Sequence, residues 1–267
     1  MNPPISGKTR LDILLVARGF FESRARAAAA VKAGRVKVNG QVVLRAAHTL
    51  HTNAEIANAE IANAEIASAE ITVSGAAHDY VSRGGLKLAH ALDVFGFSPA
   101  DKCAIDLGAS TGGFTDVLLK RGVAHVCAVD VGHDQLHADL RADPRVSNLE
   151  GVNARALTRD HIGTPPDCLV CDVSFIRLSL ALPPALSMVR RGGWMVALIK
   201  PQFEAGRAAI GKNGVVSDPA VHARVCEEFV AWFAATCPDW QPEKIIASPI
   251  AGPQGNIEFL FGARAPD

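Results

Sequence analysis

The sequence lacks long apolar runs, and this absence limits where the protein can reside. None of its 267 residues belongs to the roughly 18-residue apolar stretch that a membrane-spanning helix needs. Met1 to Arg10 also has none of the apolar core of a secretory signal. We therefore expect a cytoplasmic protein with no membrane partner, whose 49% share of apolar residues is enough for cores of ordinary size.

The sequence also lacks the cysteine pattern of a disulfide framework. Its six cysteines lie in apolar contexts typical of strands and helices, which indicates a reducing compartment. Cys168 and Cys171 have the spacing of a metal-binding pair, but strand alternation would point their sulfurs to opposite faces of a sheet. We expect no metal and no redox site. The cysteines are Cys103, Cys127, Cys168, Cys171, Cys226 and Cys237.

Net charge is absent as well, yet the charges are unevenly distributed. The whole chain has 27 basic and 27 acidic residues. Residues 1–50 contain nine lysines and arginines against two acidic residues and so carry +7, which leaves −7 for the remainder. A basic unit joined to an acidic one suggests that the first part binds a polyanion and that the second has another task.

The basic part shows the order helix, helix, hairpin. Residues 10–20 have the apolar spacing of a helix, and a second helix is predicted from its N-cap Ser23 to Gly34. Residues 36–43 alternate as two strands around Asn39-Gly40, a strong hairpin signal. This order resembles the alpha-L RNA-binding motif, which occurs in a small-subunit ribosomal protein and in several RNA-modifying enzymes.

The resemblance implies that the basic side chains of this part bind RNA. Arginine and lysine pair with phosphates and release counterions, so the charge pattern has a physical reason. A solvated basic face without a ligand is the alternative. The residues predicted to contact RNA here are Arg10, Arg18, Arg24, Arg26, Lys32, Arg35 and Lys37.

A five-residue unit is repeated four times in residues 53–72. The isoleucine of each unit is displaced by about 140° from the previous one on a helix, so these isoleucines form no apolar stripe. We interpret the segment as an expanded linker without a function of its own, in which alanine and glutamate favour helix. The predicted organisation is an RNA-binding domain at 8–50, a linker at 51–77 and a second domain at 78–267.

The second domain is organised around a glycine-rich turn. A short apolar strand ends at Asp106-Leu107, glycines follow at Gly108, Gly112 and Gly113, and a helical pattern begins at Phe114. Such a turn lets the backbone approach a ligand, and the free N–H groups of the next helix favour a negatively charged group. From these residues a methyl donor, a nicotinamide cofactor and a structural turn all remain open.

Strands and helices alternate from Cys103 onward, which predicts a parallel sheet. The candidate strands are residues 103–107, 124–130, 146–150, 167–172, 194–199, 244–247 and 256–262. Ligands of such sheets bind beyond the carboxyl ends of the strands. Asp130 ends the second strand about twenty residues after the glycines, where it is placed to bind ribose hydroxyls unless it is a plain loop residue. Glu258 falls inside an apolar strand, where a lysine partner would offset the cost of its burial.

Several motifs together resemble the TlyA (hemolysin A) family over nearly the whole chain. They are residues 80–88 (Tyr-Val-Ser-Arg-Gly-Gly-Leu-Lys-Leu), 106–115, 153–155, 172–175, 200–204 and 255–258. The repeat at 53–72 departs from the family and lengthens the segment between the two domains. The resemblance implies a small amino-terminal α+β RNA-binding domain and an α/β, Rossmann-like, seven-stranded methyltransferase domain of the FtsJ type.

The resemblance further implies S-adenosylmethionine as cofactor and a ribose 2′-hydroxyl of ribosomal RNA as acceptor, with cytidine as the expected nucleoside. Arg83, from the first of these motifs, joins the residues predicted to contact RNA. The cofactor-binding residues implied are Asp106, Gly108, Ser110, Gly112, Gly113, Phe114, Asp130, Asn153 and Asp172.

The catalytic Lys-Asp-Lys-Glu tetrad of the family matches Lys87, Asp172, Lys200 and Glu258. A ribose hydroxyl is a poor nucleophile, so a base must remove its proton during attack. A lysine serves as that base only where a neighbouring cation or desolvation favours its neutral form. We assign the base to Lys200, its orientation to Asp172, the neighbouring cation that also holds the ribose or phosphate to Lys87, and the positioning of a lysine to Glu258. The roles of the two lysines could be exchanged.

Four other functions compete with this interpretation. A nicotinamide-dependent oxidoreductase would leave the basic unit idle, and a non-enzymatic RNA-binding or ribosome-associated protein would not need the tetrad. A membrane-lytic protein would need an amphipathic or spanning segment that the sequence does not show. An RNA base methyltransferase would need an Asn-Pro-Pro-aromatic or catalytic cysteine motif, which is missing. We therefore expect ribosomal RNA or ribosomal subunits as partners of a monomer or weak oligomer.

Overall fold

The computed structural model describes residues 8–17, 20–21, 23–51, 71–73, 80–211, 214–252 and 255–267. The chain divides into two compact units, unit 1 at Met1–Asp79 and unit 2 at Tyr80–Asp267. Each unit has its own apolar core.

Unit 1 combines two helices with short strands. Antiparallel pairing joins β1 to β4, and a three-stranded sheet has the order β3-β2-β5. Leu11 and Leu15 of α1 are fully buried against Ala27 and Val31 of α2, so the two helices form the core together with Val36. The elements are β1 (Lys8–Arg10), α1 (Leu11–Ala17), α2 (Arg24–Lys32), β2 (Val36–Val38), β3 (Gln41–Val42), β4 (Thr49–His51) and β5 (Ile71–Val73).

Local signals of the sequence are confirmed in unit 1. The side chain of Ser23 accepts a hydrogen bond from the backbone N–H of Arg26 at 3.4 Å and so caps α2. Asn39 and Gly40 have φ angles of 49° and 79°, and this left-handed turn joins β2 to β3. The first helix occupies less of the chain than the predicted 10–20, and Arg18 lies outside the described residues.

The linker prediction of 51–77 is corrected at both ends. His51 ends β4, and Ile71 pairs with Val38 of β2 in the antiparallel register of the three-stranded sheet. Most of the repeat, residues 53–70, lies outside the described residues. Because β4 precedes it and β5 follows it, the repeat is an insertion within unit 1 rather than a connection between the two units.

Unit 2 alternates strands and helices. Its helices are α3 (Gly84–Phe95), α4 (Gly113–Lys120), α5 (Ala138–Ala142), α6 (Arg159–Ile162), α7 (Leu178–Leu186), α8 (Pro201–Glu204) and α9 (Pro219–Thr236), with 3₁₀ turns at Ala154–Ala156 and Arg207–Ala209. Its strands are β6 (Cys103–Leu107), β7 (His125–Asp130), β8 (Val146–Glu150), β9 (Cys168–Cys171), β10 (Trp194–Ile199), β11 (Gln241–Pro242), β12 (Ile246–Ala247) and β13 (Phe259–Arg264).

The strands of unit 2 form one mixed sheet of the order β11-β13-β10-β9-β6-β7-β8, with β12 pairing on β13. Strands β6 to β10 are parallel, whereas β13 runs antiparallel to β10. The strand order reverses between β6 and β9, and ligands bind at such a switch point. The predicted Rossmann-like architecture of the second domain is therefore confirmed.

The final strand differs from its prediction in direction and in its start. It pairs antiparallel with β12 and with β10, and the described residues between β12 and β13 contain no crossover helix of the kind that joins parallel strands. Glu258 precedes the strand instead of lying inside it. The backbone turns ahead of it, where Gly252 N–H donates to the carbonyl of Asn256 at 2.9 Å.

Apolar side chains cover both faces of the sheet. The side chain of Cys168 belongs to the cluster with α3 and α4, and that of Cys171 belongs to the cluster with α7 and α9. The two sulfurs therefore lie on opposite faces, as strand alternation predicts. Burial raises the pKa of the Cys171 thiol to about 12, so this side chain behaves as a small apolar residue.

Candidate active site

The glycine-rich turn at the end of β6 is held by hydrogen bonds to β7. The backbone N–H groups of Gly108 and Ala109 donate to the carbonyl of Val129 at 2.8 and 3.1 Å. The carboxylate of Asp130 accepts from the N–H of Ser110 at 2.8 Å and from that of Gly132 at 2.7 Å. The turn is therefore rigid, with its conformation set by the next parallel strand.

The glycines of the turn let other parts of the protein approach it. A Cβ built on Gly108, whose φ is 81°, would lie 2.8 Å from the backbone oxygen of Asp172. One on Gly112, whose φ is 96°, would overlap the side chain of Leu140, and one on Gly113 would overlap the hydroxyl of Ser82. The close approach predicted for a ligand is made here by three protein segments, which bring Asp172 and the start of α3 against the turn.

Asp106 is the buried carboxylate beneath this turn. It is fully buried, and its Oδ2 accepts a hydrogen bond from Thr115 Oγ1 at 2.7 Å. Its Oδ1 has no hydrogen-bond partner within the described part of the chain. Burial, together with the nearby charges of Asp172 and Asp130, raises the pKa of Asp106 to about 7 against the lowering effect of the hydrogen bond from Thr115. A cationic group bound next to Asp106 would stabilise the ionised form of this carboxyl group.

Three further residues predicted to bind the cofactor have local structural contacts. Asn153 Oδ1 accepts from the N–H of Arg155 at 3.0 Å and caps the following 3₁₀ turn. Ser110 donates its hydroxyl to Gln135 Oε1 at 3.1 Å. The ring of Phe114 is 3% exposed and packs in the core beside α3, so its side chain supports the turn from below. Contact of these residues with the cofactor stays a prediction.

Lys200 and Asp172 form the first of two ion pairs beside the turn. Strands β9 and β10 are parallel neighbours, so the residues that follow their carboxyl ends lie next to each other. Lys200 Nζ is 2.6 Å from Asp172 Oδ1 and donates to Ser174 Oγ at 2.8 Å. The lysine side chain is 9% exposed and that of Asp172 is 20% exposed, so the pair opens to solvent on the aspartate side.

Lys87 and Glu258 form the second pair, which is more deeply buried. Lys87 Nζ donates to Glu258 Oε2 at 2.5 Å, with side-chain exposures of 8% and 0%. Helix α3 packs against β13, which brings the two residues together across 171 positions of sequence. The lysine partner predicted for Glu258 is confirmed. A Cβ on Gly84 at the start of α3 would lie 3.9 Å from Asp172 Oδ2, so the start of the helix that carries Lys87 lies next to the first pair.

The basic residues of unit 1 fall into two groups by exposure. Arg10 and Arg24 are exposed and both bind Asp12, while Lys32 and Arg35 are exposed near the end of α2. Arg26 and Lys37 are half-buried. Arg83 belongs to unit 2, where it is half-buried immediately before α3.

The described ranges contain no group of three or more His, Cys, Asp or Glu side chains that could hold a metal ion. Within the same ranges, no helix has the length and apolar character needed to cross a membrane.

Comparison with known proteins finds a matching family for each of the two units. Residues 80–265 match the FtsJ-like methyltransferases, and residues 9–56 match the S4 domain. The 16S/23S rRNA (cytidine-2'-O)-methyltransferase TlyA of Mycobacterium tuberculosis is 39% identical over 257 residues, covering 96% of this chain and 90% of that protein. The chain belongs to the TlyA family. Hemolysin A of Brachyspira hyodysenteriae is 37% identical over 94% of this chain and 98% of that protein.

One solved structure is similar to nearly the whole chain. This protein from Streptococcus thermophilus, described as a hemolysin, has a TM-score of 0.76 and 40% identity, and the match covers 98% of this chain and 90% of that one. Family membership confirms an S-adenosylmethionine-dependent methyltransferase. The nicotinamide-dependent oxidoreductase and the non-enzymatic RNA-binding protein are thereby set aside.

The site of this TlyA-family chain fits its cofactor. S-adenosylmethionine carries positive charge on its sulfonium and amino groups, and Asp106 supplies a buried acceptor oxygen without a partner in the described residues. Asp130 could accept further hydrogen bonds, because each carboxylate oxygen can accept two.

Sequence reasoning missed two polar residues of this site. Gln202 is 8% exposed, and its Nε2 lies 3.5 Å from Glu258 Oε1, while its own Oε1 is buried without a hydrogen-bond partner among the described residues. Ser174 binds Lys200. Both lie within motifs that carry the family resemblance, so the sequence contained a signal for them. In these two motifs only the charged residues Asp172 and Lys200 were predicted to belong to the site.

Proposed function

We propose that this protein transfers a methyl group from S-adenosylmethionine to a ribose 2′-hydroxyl of ribosomal RNA, with cytidine as the nucleoside. The observation that carries the proposal is the Lys200–Asp172 pair at 2.6 Å, next to the glycine turn at the switch point of the sheet. The name of the Mycobacterium tuberculosis relative, a 16S/23S rRNA (cytidine-2'-O)-methyltransferase, supports the acceptor.

The first task of the site is to hold the methyl donor. When bound, S-adenosylmethionine supplies an electrophilic methyl carbon on a sulfonium. Asp106 would face the cationic part of the molecule from below the turn, and Asp130 would bind the ribose hydroxyls while it keeps the turn in place. The rigid turn between them limits the positions that the methyl group can take, which favours attack from one direction.

The second task is to remove the proton of the attacking hydroxyl. Lys200 Nζ would take this proton as the oxygen approaches the methyl carbon. The carboxylate of Asp172 and the hydroxyl of Ser174 bind Nζ at 2.6 and 2.8 Å and would hold it in the required direction. Ser174 is exposed and Asp172 partly so, which supports access of a ribose to this lysine.

Lys87, held by Glu258, would provide a fixed ammonium group beside that reaction. Glu258 accepts from Lys87 on one oxygen and lies within 3.5 Å of the Gln202 amide on the other, so its carboxylate is fixed from two sides. The ammonium group of Lys87 would attract the phosphate next to the target ribose. The Asp172 partner of Lys200 is 20% exposed, whereas the Glu258 partner of Lys87 is 0% exposed, and this supports access of the ribose to Lys200 rather than to Lys87.

The experiment that tests the proposal identifies the product. Purified 30S and 50S subunits from a strain that lacks a TlyA-family enzyme are incubated with the protein and S-adenosylmethionine, and their RNA is digested to nucleosides for mass spectrometry. We expect 2′-O-methylcytidine in at least one subunit, and none with the Lys200→Ala variant. A methylated base, or no methylated nucleoside although the protein binds its cofactor, would contradict the proposal.

A further inference from the structure

One buried carboxylate in unit 1 binds two exposed arginines. Asp12, in the first turn of α1, is 3% exposed. Arg10 contacts it through two hydrogen bonds, Nε to Oδ1 at 2.9 Å and Nη2 to Oδ2 at 3.0 Å. Arg24, at the start of α2, donates from Nη2 to the same Oδ2 at 3.2 Å. Residues from β1 and α2 therefore meet on a single acceptor.

The two arginines remain available to a ligand although they are paired. Their side chains are 44% and 57% exposed, against 4% for the Asp12 side chain. An arginine has five N–H donors, of which the bonds to Asp12 use two in Arg10 and one in Arg24. The remaining donors can face an anion in solvent.

We propose that Asp12 is a positioning residue that fixes Arg10 and Arg24 as a clamp for one phosphate group of the RNA backbone. The inference rests on the proposed function. An exposed arginine loses rotamer freedom when it binds a phosphate, and a guanidinium already held in place loses less. Two guanidinium groups fixed on one carboxylate can then donate several charge-assisted hydrogen bonds to the same phosphate.

Removal of the Asp12 charge should change RNA affinity in opposite directions under the clamp and under simple charge attraction. Asp12 is one of two acidic residues among the first fifty, so its removal makes this basic part more positive. If only the overall charge attracted RNA, the Asp12→Asn variant would bind more tightly. If Asp12 positions the arginines, the same variant binds more weakly.

The test compares the full-length wild type with Asp12→Asn by fluorescence anisotropy on a labelled 23S ribosomal RNA fragment. We expect Kd to rise by about fivefold, because arginines that Asp12 no longer holds lose more rotamer freedom when they bind the phosphate. Asp143→Asn is the matched control, because Arg145 also binds an aspartate two residues away through Nε at 3.0 Å and Nη2 at 2.7 Å, but in unit 2. This control should change Kd by less than about twofold. Unchanged or tighter binding by Asp12→Asn overturns the proposal.

A cycle of variants separates positioning from folding. Asp12→Asn is repeated in an Arg10→Ala/Arg24→Ala background, where it should change Kd by less than about twofold because no arginine remains to be positioned. An equal loss in that background would show a merely structural role and overturn the clamp. Asp12→Glu, which keeps a carboxylate for both arginines, should recover at least part of the lost affinity, and no recovery would also count against the clamp.

Turnover distinguishes failure of the clamp from failure of the proposed function. In a methylation assay, Asp12→Asn should raise the KM for RNA and leave kcat within about twofold, because unit 1 holds none of the tetrad. If the wild type neither binds nor methylates ribosomal RNA, the proposed function fails and the clamp with it. If the wild type does both and Asp12→Asn matches it in Kd and KM, the clamp alone fails.

Discussion

The two units place the same chemistry, a cation paired with a carboxylate, in opposite environments. In unit 1 the carboxylate of Asp12 is buried, and its partners Arg10 and Arg24 are exposed. In unit 2 both members of the Lys87–Glu258 pair are buried. Exposed cations can contact a long polyanion, although salt screens their attraction to it. Buried charges interact more strongly with the atoms next to them, because the dielectric constant there is lower. We therefore expect the environments of these pairs to separate RNA binding in unit 1 from methyl transfer in unit 2.

The strongest test of this division replaces the proposed base. Lys200→Ala should lower the single-turnover rate of methyl transfer by about 10²- to 10⁴-fold, the usual contribution of a general base, with S-adenosylmethionine still bound. The rate is measured with cofactor saturating, and cofactor affinity is measured separately by calorimetry.

Lys200→Arg is the informative companion, because arginine keeps the positive charge and does not release its proton. This variant should be as inactive as Lys200→Ala. An active Lys200→Arg protein would show that the charge of Lys200 matters and that its basicity does not, which would assign the base elsewhere.

The second test breaks the buried pair from one side. Glu258→Gln leaves the ammonium group of Lys87 buried without its carboxylate, and removing one partner of a buried pair costs about 3–5 kcal/mol of stability. We expect a lower urea midpoint together with a loss of turnover. In the Glu258→Gln/Lys87→Met double variant the unpaired charge is gone, so stability should recover while activity stays low.

A double variant no more stable than Glu258→Gln would contradict the account of the pair. So would a double variant with normal turnover. The first result would mean that the stability loss comes from packing around Glu258, and the second that the pair serves the fold and not the reaction.

Asp106 sharpens the comparison, because it is a buried carboxylate without a cation in the described residues. Burial raises its pKa from 3.8 to about 7, so the folded protein holds a proton that the unfolded chain releases between these values. Stability is therefore lost as the pH rises from about 4 to about 7. By linkage the loss between pH 5 and pH 8 is about 2–3 kcal/mol.

Asp106→Asn isolates this effect, because it removes the titrating carboxyl group and leaves the other ionisable side chains in place. Measured by urea unfolding without cofactor, the wild type should lose stability relative to Asp106→Asn as the pH rises from 5 to 8. A constant difference between the two proteins would mean that Asp106 is ionised throughout. Asp116→Asn is a suitable control, since Asp116 is buried on α4 but has Lys120 at 3.0 Å.

Local signals were enough to predict much of this protein. The hairpin at Asn39-Gly40, the turn after Asp106 and the opposite faces of Cys168 and Cys171 follow from short-range backbone preferences, and the structure has all three. The partner of Glu258 was predicted as a type because a lone buried carboxylate is costly. Composition and spacing thus reach the elements and the kinds of residue that the site needs.

The features that were missed depend on contacts between distant segments. The pairing of Ile71 with Val38 crosses the repeat, and nothing in a five-residue unit signals that a strand of the same domain follows it. The bond of Arg24 to Asp12 depends on how α1 and α2 pack. The same holds for Gln202, whose amide is polar but uncharged and whose importance comes from its position near Glu258.

The smallest expected effect comes from shortening the repeat. Deleting Asn58–Ala67, two of the four units, should leave kcat and the Kd for RNA within about twofold, because the entropy of closing a loop changes slowly with its length. Deleting Ile71–Val73 instead removes β5 from the sheet of unit 1, and this should weaken RNA binding while S-adenosylmethionine still binds. Fluorescence anisotropy and calorimetry on both deletions give the comparison. If the ten-residue deletion lowered turnover strongly, the repeat would be part of the working enzyme, and the separation of binding in unit 1 from chemistry in unit 2 would not hold.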